Sequence, residues 1–543
     1  MPHNAAAYDY VIVGGGSAGT VVASRLAARQ PAAAVLLLEA GTDGRGVAQI
    51  TDPPQWTKLP GTALDWGYSY VPAEQVMNRA IPVPRGKVLG GCGAVNAMQW
   101  FRGHPDDYDA WERAGATGWN YASLLPYFRR SESWAGGPSA HRGGSGPMRV
   151  TRPADPHPVA SALIEGAAEL GLAKLDDPNS GDTDGATLAN LNIAEGRRFS
   201  VVDGYLPAWA PPPAPGQVPV GAWTAAPGPP PNLTVLTGST AVRLGFAADG
   251  RCDSVFHTAR GTLRRTRAEA GVILALGAFG TPELLVRSGI GDPGQLRALG
   301  LPVRAALPGV GRNLQDHPLL MGINFRARRR LGLARDNGGG AIANWRSSRA
   351  HRPDLHAFVV QGRHAYPDAA ARYRLAGAAD VFAISPGLMG SVSRGRLTVR
   401  DASRPGPDGV EIESGFLTER QDVDALVEAM DTIMDLASTA AYADLIDRPL
   451  MPPGRLSRTD RERFVRENCA TFFHPCGTAA MGTGPDAVTD ADLNVIGVDG
   501  LRVTDASVFP VIPAGNTQAA VVAVAERAAD IIAGHHEDTG GCP

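Results

Sequence analysis

The chain has 543 residues, 44% of them hydrophobic and 19% charged, with a formal net charge of −3. That is a globular composition in a chain long enough for two or more domains. It offers no basic footprint for nucleic acid and no acidic tail.

The first stretch, "MPHNAAAYDYVIVGGG", has neither a basic n-region nor a long apolar h-region. No segment supplies the roughly 18 uncharged apolar residues of a membrane helix, so a cytoplasmic protein is expected. Five cysteines (Cys92, Cys252, Cys469, Cys476 and Cys542) are odd in number and include no C-x-x-C pair. That favours a reducing compartment over a disulfide framework.

"YDYVIVGGGSAGTVVASRLAA" reads as a buried strand over 10–13, a glycine turn and a helix with Val22, Ala23, Leu26 and Ala27 at helical spacing. Gly14, Gly16 and Gly19 fit G-x-G-x-x-G: one for the tight turn, one for approach to a pyrophosphate, one for helix packing. The helix N-terminus then offers free N–H groups to phosphates. "VLLLEAG" follows as a second buried strand ending in Glu39, placed to accept from a ribose diol, with Ala40 next to it. A glutamate suits FAD or NAD better than NADP, and the turn does not separate those two.

A second glycine-rich loop, "RGKVLGGCGAVNAMQWFRG" (85–103), carries Gly90, Gly91 and Gly93, which would let backbone lie close to a flat or phosphorylated ligand. The proline-rich run over 207–232 reads as extended chain without regular structure. "GVILALGAFGTPELLVRSGIG" (271–291) is a third buried strand with a glycine turn into a helix. Further on, "RLTVRD" and "GVEIES" alternate as strands before an amphipathic helix that begins near Asp422. "ENCATFFHPCGTAAMG" (467–482) places His474 between Cys469 and Cys476. The chain has no H-E-x-x-H and no carboxylate cluster at metal spacing, so no metal is expected. "GGSGP" (143–147) lacks the last glycine of a nucleophile elbow, which makes a serine hydrolase a poor fit. The last motif, "LRVTDASVFPVIPAGNTQAAVVAVAERAADII", gives a strand, a proline-rich turn and a closing helix.

These segments, together with "DWGY" (65–68), "NLTVLTGSTAVRL" (232–244), "PGVGRNLQDHP" (308–318) and "FFHPCGTAAMG", resemble the glucose–methanol–choline (GMC) family of FAD-dependent oxidoreductases. The motifs stand in family order over residues 10 to 532. Within the family the chain is most similar to the choline-dehydrogenase-like and hydroxymethylfurfural-oxidase-like branch. The resemblance implies an α/β (α+β overall) fold with a Rossmann-like FAD-binding domain over 1–150, 232–315 and 466–538. A largely antiparallel-sheet substrate domain would take 151–231 and 316–465, with the proline-rich insertion at 207–231.

It also implies FAD as cofactor. Gly14, Gly16, Ser17 and Ala18 would hold the pyrophosphate, and Glu39 and Ala40 the adenosine ribose. Val242, with Ala275 and Gly277 close by, would meet the adenine. Gly90, Gly91, Asn96 and Ala97 would lie along the flavin half. Asp505, Ala506, Thr517 and Gln518 would reach the ribityl chain and the pyrimidine edge. Val95 stands where some members carry a flavin-linking histidine, so FAD should be bound non-covalently.

Alcohol oxidation removes a hydroxyl proton and transfers a hydride, here to flavin N5. The family pattern puts the base at His474 and the partner that orients the substrate oxygen at Asn516, with Phe473 and Trp100 in the substrate pocket. A histidine has an unperturbed pKa of about 6.5, suited to a base near neutral pH. His317, in "LQDHP", is expected to be structural, and His104, His157, His351 and His364 to be exposed. The expected activity is oxidation of a primary alcohol or aldehyde hydrate, with O2 or another carrier as electron acceptor. Two alternatives remain: a flavin-containing lyase or photodecarboxylase on the same fold, and a non-catalytic flavin-binding protein.

Overall fold

The computed structural model describes residues 7–206, 222–224, 230–375 and 380–534. The proline-rich run over 207–232 therefore falls largely outside the described residues.

Four parallel strands form the centre of the first sheet, in the order Leu233–Leu236, Val35–Leu38, Ala7–Val13 and Thr262–Leu274. Leu501–Val503 adds a fifth parallel strand against the end of Thr262–Leu274. The earlier half of that long strand turns outward to pair antiparallel with Cys252–Ala259, which pairs in turn with Ser239–Phe246. Val35–Leu38 is buried along its whole length, as its unbroken apolar sequence requires of a strand covered on both faces.

The parallel strands all end on one rim. Past Val13 comes Gly14, past Leu38 comes Glu39, past Leu274 comes Ala275, and past Val503 the chain reaches Asp505. In a doubly wound sheet this C-terminal rim is where a ligand binds.

Helix Ser17–Arg29 packs against the closing helix Thr517–Ala533. Glu526, wholly buried on the closing helix, fixes the pair: it accepts from Arg25 Nη2 at 2.7 Å and from the Tyr205 hydroxyl at 2.6 Å. A buried carboxylate needs such partners to offset its lost hydration.

The second sheet is antiparallel in every pairing: Ile446–Met451, Asn324–Ala327, Val381–Leu388, Leu355–Val360, Ala341–Trp345 and Gly185–Leu188 follow in that order. Pro318–Leu320 joins it and brings in Cys469–Thr471. Helices Pro158–Glu169 and Arg420–Leu436 pack on this sheet. The expected boundary at 466 falls inside helix Arg458–Asn468, and the three residues after that helix pair into the second sheet. His474 therefore leaves the second sheet and reaches toward the first. The strand pair expected before Asp422 is present as Arg396–Val399 against Val410–Glu413.

Candidate active site

The two glycine turns build one cradle. Gly14 has φ +103°, and a Cβ there would stand 2.4 Å from the Ala275 carbonyl oxygen. A Cβ on Gly19 would stand 1.9 Å from the Gly14 oxygen, so the third glycine of the motif is what lets helix meet strand. Gly91, at φ +54°, packs so close to Gly16 that a Cβ would lie 2.7 Å from its Cα.

The helices that begin at Ser17 and Thr517 on the cradle have no side-chain cap on their first N–H groups. The two helix starts touch, since Ser17 Oγ donates to Gln518 Oε1 at 3.0 Å.

A long cavity runs along this cradle. Of the residues expected to hold FAD, Gly14, Gly16, Ser17, Ala18, Glu39, Ala40, Gly91, Ala275, Gly277, Asp505, Ala506, Thr517 and Gln518 all line it. Asn96 and Ala97 line an adjoining cavity, which meets the first at Arg85, Cys92, Thr517 and Gln518. Gly90 sits behind the wall, donating through its N–H to the Gly15 carbonyl at 2.7 Å. Of the strand expected to meet the adenine, Ala241 lines the cavity and Val242 does not, and a register shift lies between Ala241 and Arg243.

Glu39 is buried, with Oε2 accepting from Gly15 N at 2.9 Å and Oε1 from Gly41 N at 2.6 Å. Burial pushes its carboxyl up to about 7 against those hydrogen bonds. Asp505 is fixed by Gly277 N at 2.9 Å and Thr281 Oγ1 at 2.6 Å. The uncapped helix starts, the glycines that admit no Cβ and the buried, unpartnered Asn516 Oδ1 fit an extended dinucleotide ending in a polar ring.

His474 and Asn516 meet in the second cavity, with Asn516 Nδ2 3.2 Å from His474 Nε2. Asn516 occupies the N-cap position of the closing helix but makes no side-chain cap bond. On its other edge, His474 Nδ1 lies 3.0 Å from His317 Nδ1. With the Asn516 amide oriented so that Nδ2 faces Nε2, the hydrogen-bond network assigns the His474 proton to Nδ1, facing His317 Nδ1. His474 is held well below the usual histidine pKa, first by burial, then by His317, Arg85 and His356. His317 is pushed down to about 3, mainly by burial, and is therefore a neutral acceptor.

The "LQDHP" segment clasps this pair. Asp316 Oδ1 accepts from the backbone N–H of His317 at 2.8 Å and of His474 at 2.9 Å. Gln315 trades backbone hydrogen bonds with Cys476, and its side chain reaches Pro510 O at 3.0 Å and Ile512 N at 3.1 Å. One segment thus fixes both the loop of His474 and the turn before Asn516. Phe473, at φ +67°, is held in the left-handed region beside His474. Thr471 Oγ1 and Arg85 Nη2 hold its N–H and carbonyl, at 2.7 and 2.6 Å.

Some expectations fail. Trp100 is not in the pocket: it is wholly buried, and its indole N–H goes to Glu132 Oε2 at 2.8 Å. His317, expected to be structural, lies with Nδ1 3.0 Å from His474 Nδ1. His157 is buried, bonded to Leu331 O at 2.9 Å, and His364 lines the second cavity with Nδ1 on Ser385 Oγ at 2.7 Å. Phe473 does line the pocket, but the ring stacked on His474 is Phe472, at 5.5 Å and 16°. Cys469 and Cys476 are buried free thiols, and burial raises the pKa of both.

Comparison with known proteins gives one consistent match. Family models described as GMC oxidoreductase cover residues 8–211 and 222–319, and again 391–525. The chain is 33% identical to an oxygen-dependent choline dehydrogenase of Sinorhizobium fredii over 97% of this chain and 95% of that protein. It is 31% identical to the mitochondrial choline dehydrogenase of Mus musculus over 97% and 90%. The crystal structure of pyridoxine 4-oxidase from Mesorbium loti superposes with a TM-score of 0.88 at 32% identity, covering 98% of this chain and all of that one. A formate oxidase of Aspergillus oryzae superposes at 0.87 with 26% identity over 99% and 100%.

Proposed function

The chain belongs to the GMC oxidoreductase family as an FAD-dependent alcohol oxidoreductase, and from that premise we propose a division of labour between His474 and Asn516. His474 Nε2 takes the hydroxyl proton of a primary alcohol or aldehyde hydrate, and Asn516 holds the substrate oxygen beside it. The observation that carries this is the 3.2 Å contact between Asn516 Nδ2 and His474 Nε2 in the second cavity, beside Thr517, which lines both cavities.

Nε2 is the unprotonated nitrogen, because the ring proton on Nδ1 faces His317. A bound alcohol oxygen replaces the direct Asn516–His474 contact: it accepts from Asn516 Nδ2 and donates its own proton to Nε2, whose single lone pair is thereby freed for it. The lowered pKa keeps Nε2 free to accept in neutral solution. When the ring becomes charged, its Nδ1–H still has a neutral acceptor in His317. Asp316 holds both backbones, so the base and its acceptor keep their spacing as charge develops.

FAD, when bound, supplies the acceptor for the hydride that leaves the alcohol carbon. Glu39 and the glycine turns would hold its adenosine and pyrophosphate, and the start of the closing helix would face its ring. We propose that attachment is non-covalent, since Val95 in the second cavity offers no bond-forming atom. In this reading the first sheet holds the cofactor and the second supplies the substrate wall, dividing the chain near the boundaries expected from sequence.

The test is anaerobic mixing of the yellow protein with a panel of primary alcohols. Bleaching at 450 nm on alcohol addition, reversed by an electron acceptor, is expected; denaturation should release free FAD. Readmitted air then distinguishes O2 from another acceptor by peroxide yield. Protein that binds FAD, is bleached by dithionite, and ignores every alcohol would overturn the proposal.

A further inference from the structure

The cavity beside His474 has one continuous wall of rings. Phe472 stacks on His474 at 5.5 Å, Phe358 lies 5.4 Å from Phe472, and His364 lies 5.9 Å from Phe358. Phe473 and Trp56 line the same space. His364 is neutral, its pKa pushed down to about 4 by burial, so the wall itself carries no charge. Apolar and close to His474, with Phe358 tilted 60° to Phe472 and 61° to His364, it offers both ring faces and ring edges to a planar substrate body, which gains most from offset or edge-on packing.

The charged residues that line the cavity are two guanidiniums, Arg85 and Arg363, and one carboxylate, Asp65. Arg85 bonds only the carbonyls of Pro84 and Phe473, and pairs with no carboxylate among the described residues. Arg363 makes no hydrogen bond or ion pair to the described residues. The one carboxylate among the described lining residues, Asp65, is already engaged: Oδ1 accepts from Gly67 N and Arg85 N, and Oδ2 from Gly61 N. Ring faces attract cations. Two guanidiniums against one carboxylate that is already hydrogen-bonded leave the lining net positive and oppose one here, and a cation taken out of water unpaired is strongly disfavoured.

Building on the alcohol-oxidising reading above, we infer that the substrate hydroxyl is carried on an uncharged aromatic ring, and that quaternary ammonium alcohols are rejected. The chain would then differ in substrate from the relatives named choline dehydrogenases. The ring lies along the Phe472–Phe358 wall, with its hydroxymethyl group between His474 Nε2 and Asn516. Specificity of this kind needs no group dedicated to excluding choline, because the positive lining does it.

The experiment uses the FAD-loaded enzyme under anaerobic conditions with benzyl alcohol, n-butanol and choline. Benzyl alcohol is expected to reduce the flavin with an apparent second-order constant about 100-fold or more above that of choline, and well above that of butanol. Binding is read separately: benzamide should perturb the flavin spectrum saturably, and tetramethylammonium should not. Choline matching benzyl alcohol, butanol outrunning it, or tetramethylammonium binding as tightly as benzamide overturns the inference while leaving alcohol oxidation standing. Reduction by dithionite but by none of the three alcohols, nor by any other alcohol tried, overturns the oxidation reading itself, and this inference with it.

Discussion

Asn516 and His474, 42 residues apart in the chain, place an amide Nδ2 3.2 Å from an imidazole Nε2. The contact is possible because Asn516 sits at the cap position of the closing helix without capping it. Its carbonyl oxygen is buried and unpartnered, so the whole amide faces the site. Two polar groups that could have been satisfied within their own elements are instead turned toward each other.

Removing either group should slow flavin reduction and leave FAD in place. His474→Ala is expected to lower the anaerobic reduction rate by about 10²- to 10⁴-fold, the usual worth of a general base. Asn516→Ala should cost about 10²-fold or more, as for loss of a positioned donor. Stopped-flow bleaching measures both, and the visible spectrum reports FAD content. Because the Asn516 side chain bonds no helix N–H, its truncation should leave the helix start intact. An unchanged reduction rate in His474→Ala would reject it as the base.

His317, whose Nδ1 lies 3.0 Å from His474 Nδ1, is expected to act as a positioning residue through it. In His317→Ala the Nδ1–H of His474 loses its acceptor, and a buried unpaired donor costs about 1–3 kcal/mol. The expected loss in kcat/KM is about 10- to 100-fold. His317→Asn or His317→Gln, whose amide oxygen can accept from Nδ1–H, should recover part of that loss. A purely structural role would show no such order among variants of equal thermal stability.

The pH profile follows from the sign of the His474 shift. A base must be unprotonated, and burial together with His317, Arg85 and His356 lowers the pH at which it gains a proton. The rate constant kcat/KM should therefore stay level as pH falls through the ordinary histidine value near 6.5, and decline only below it. Arg85→Met removes a nearby positive charge, so the acid limb should move to higher pH. Arg85→Lys, which keeps the charge, should hold the limb near its original place. A limb that moves to lower pH in Arg85→Met would contradict the electrostatic cause.

Much of this site was legible in the sequence because short motifs encode backbone geometry. Gly14, Gly19 and Gly91 are glycines for reasons of φ or close approach, and such requirements are local enough to read from a string of letters. The LQDHP clasp carries no local signal of its contact with His474. Asp316 holds backbone groups, as a structural motif would, but His317 reaches the base through a contact 157 residues distant in sequence. Phe358 and His364 had no legible signal, since their place in the wall depends on the register of the second sheet. Trp100 was misassigned because an aromatic residue near the flavin loop fits a pocket as well as a core. Its indole N–H was claimed by Glu132, a partner no local pattern reveals.

Glu39 offers a test of the cofactor site that does not depend on turnover. Each of its carboxylate oxygens already accepts one backbone N–H, from Gly15 and Gly41, and keeps a second lone pair for a ribose hydroxyl. In Glu39→Gln the amide nitrogen would face one of those N–H groups, donor against donor. Hydrogen bonds to a charged acceptor are worth about 1.5–3 kcal/mol, so FAD affinity should fall about 10- to 100-fold. The pH dependence has a definite sign. Burial raises the carboxyl to about 7, so the charged acceptor is present above that value and is lost as pH falls through it. Wild-type affinity for FAD should therefore weaken from pH 8 to pH 6, and Glu39→Gln should lose that dependence. Equilibrium titration of the apoprotein with FAD, followed by quenching of flavin fluorescence, measures both effects. Equal affinities for the two proteins across that range would remove Glu39 from the ribose site.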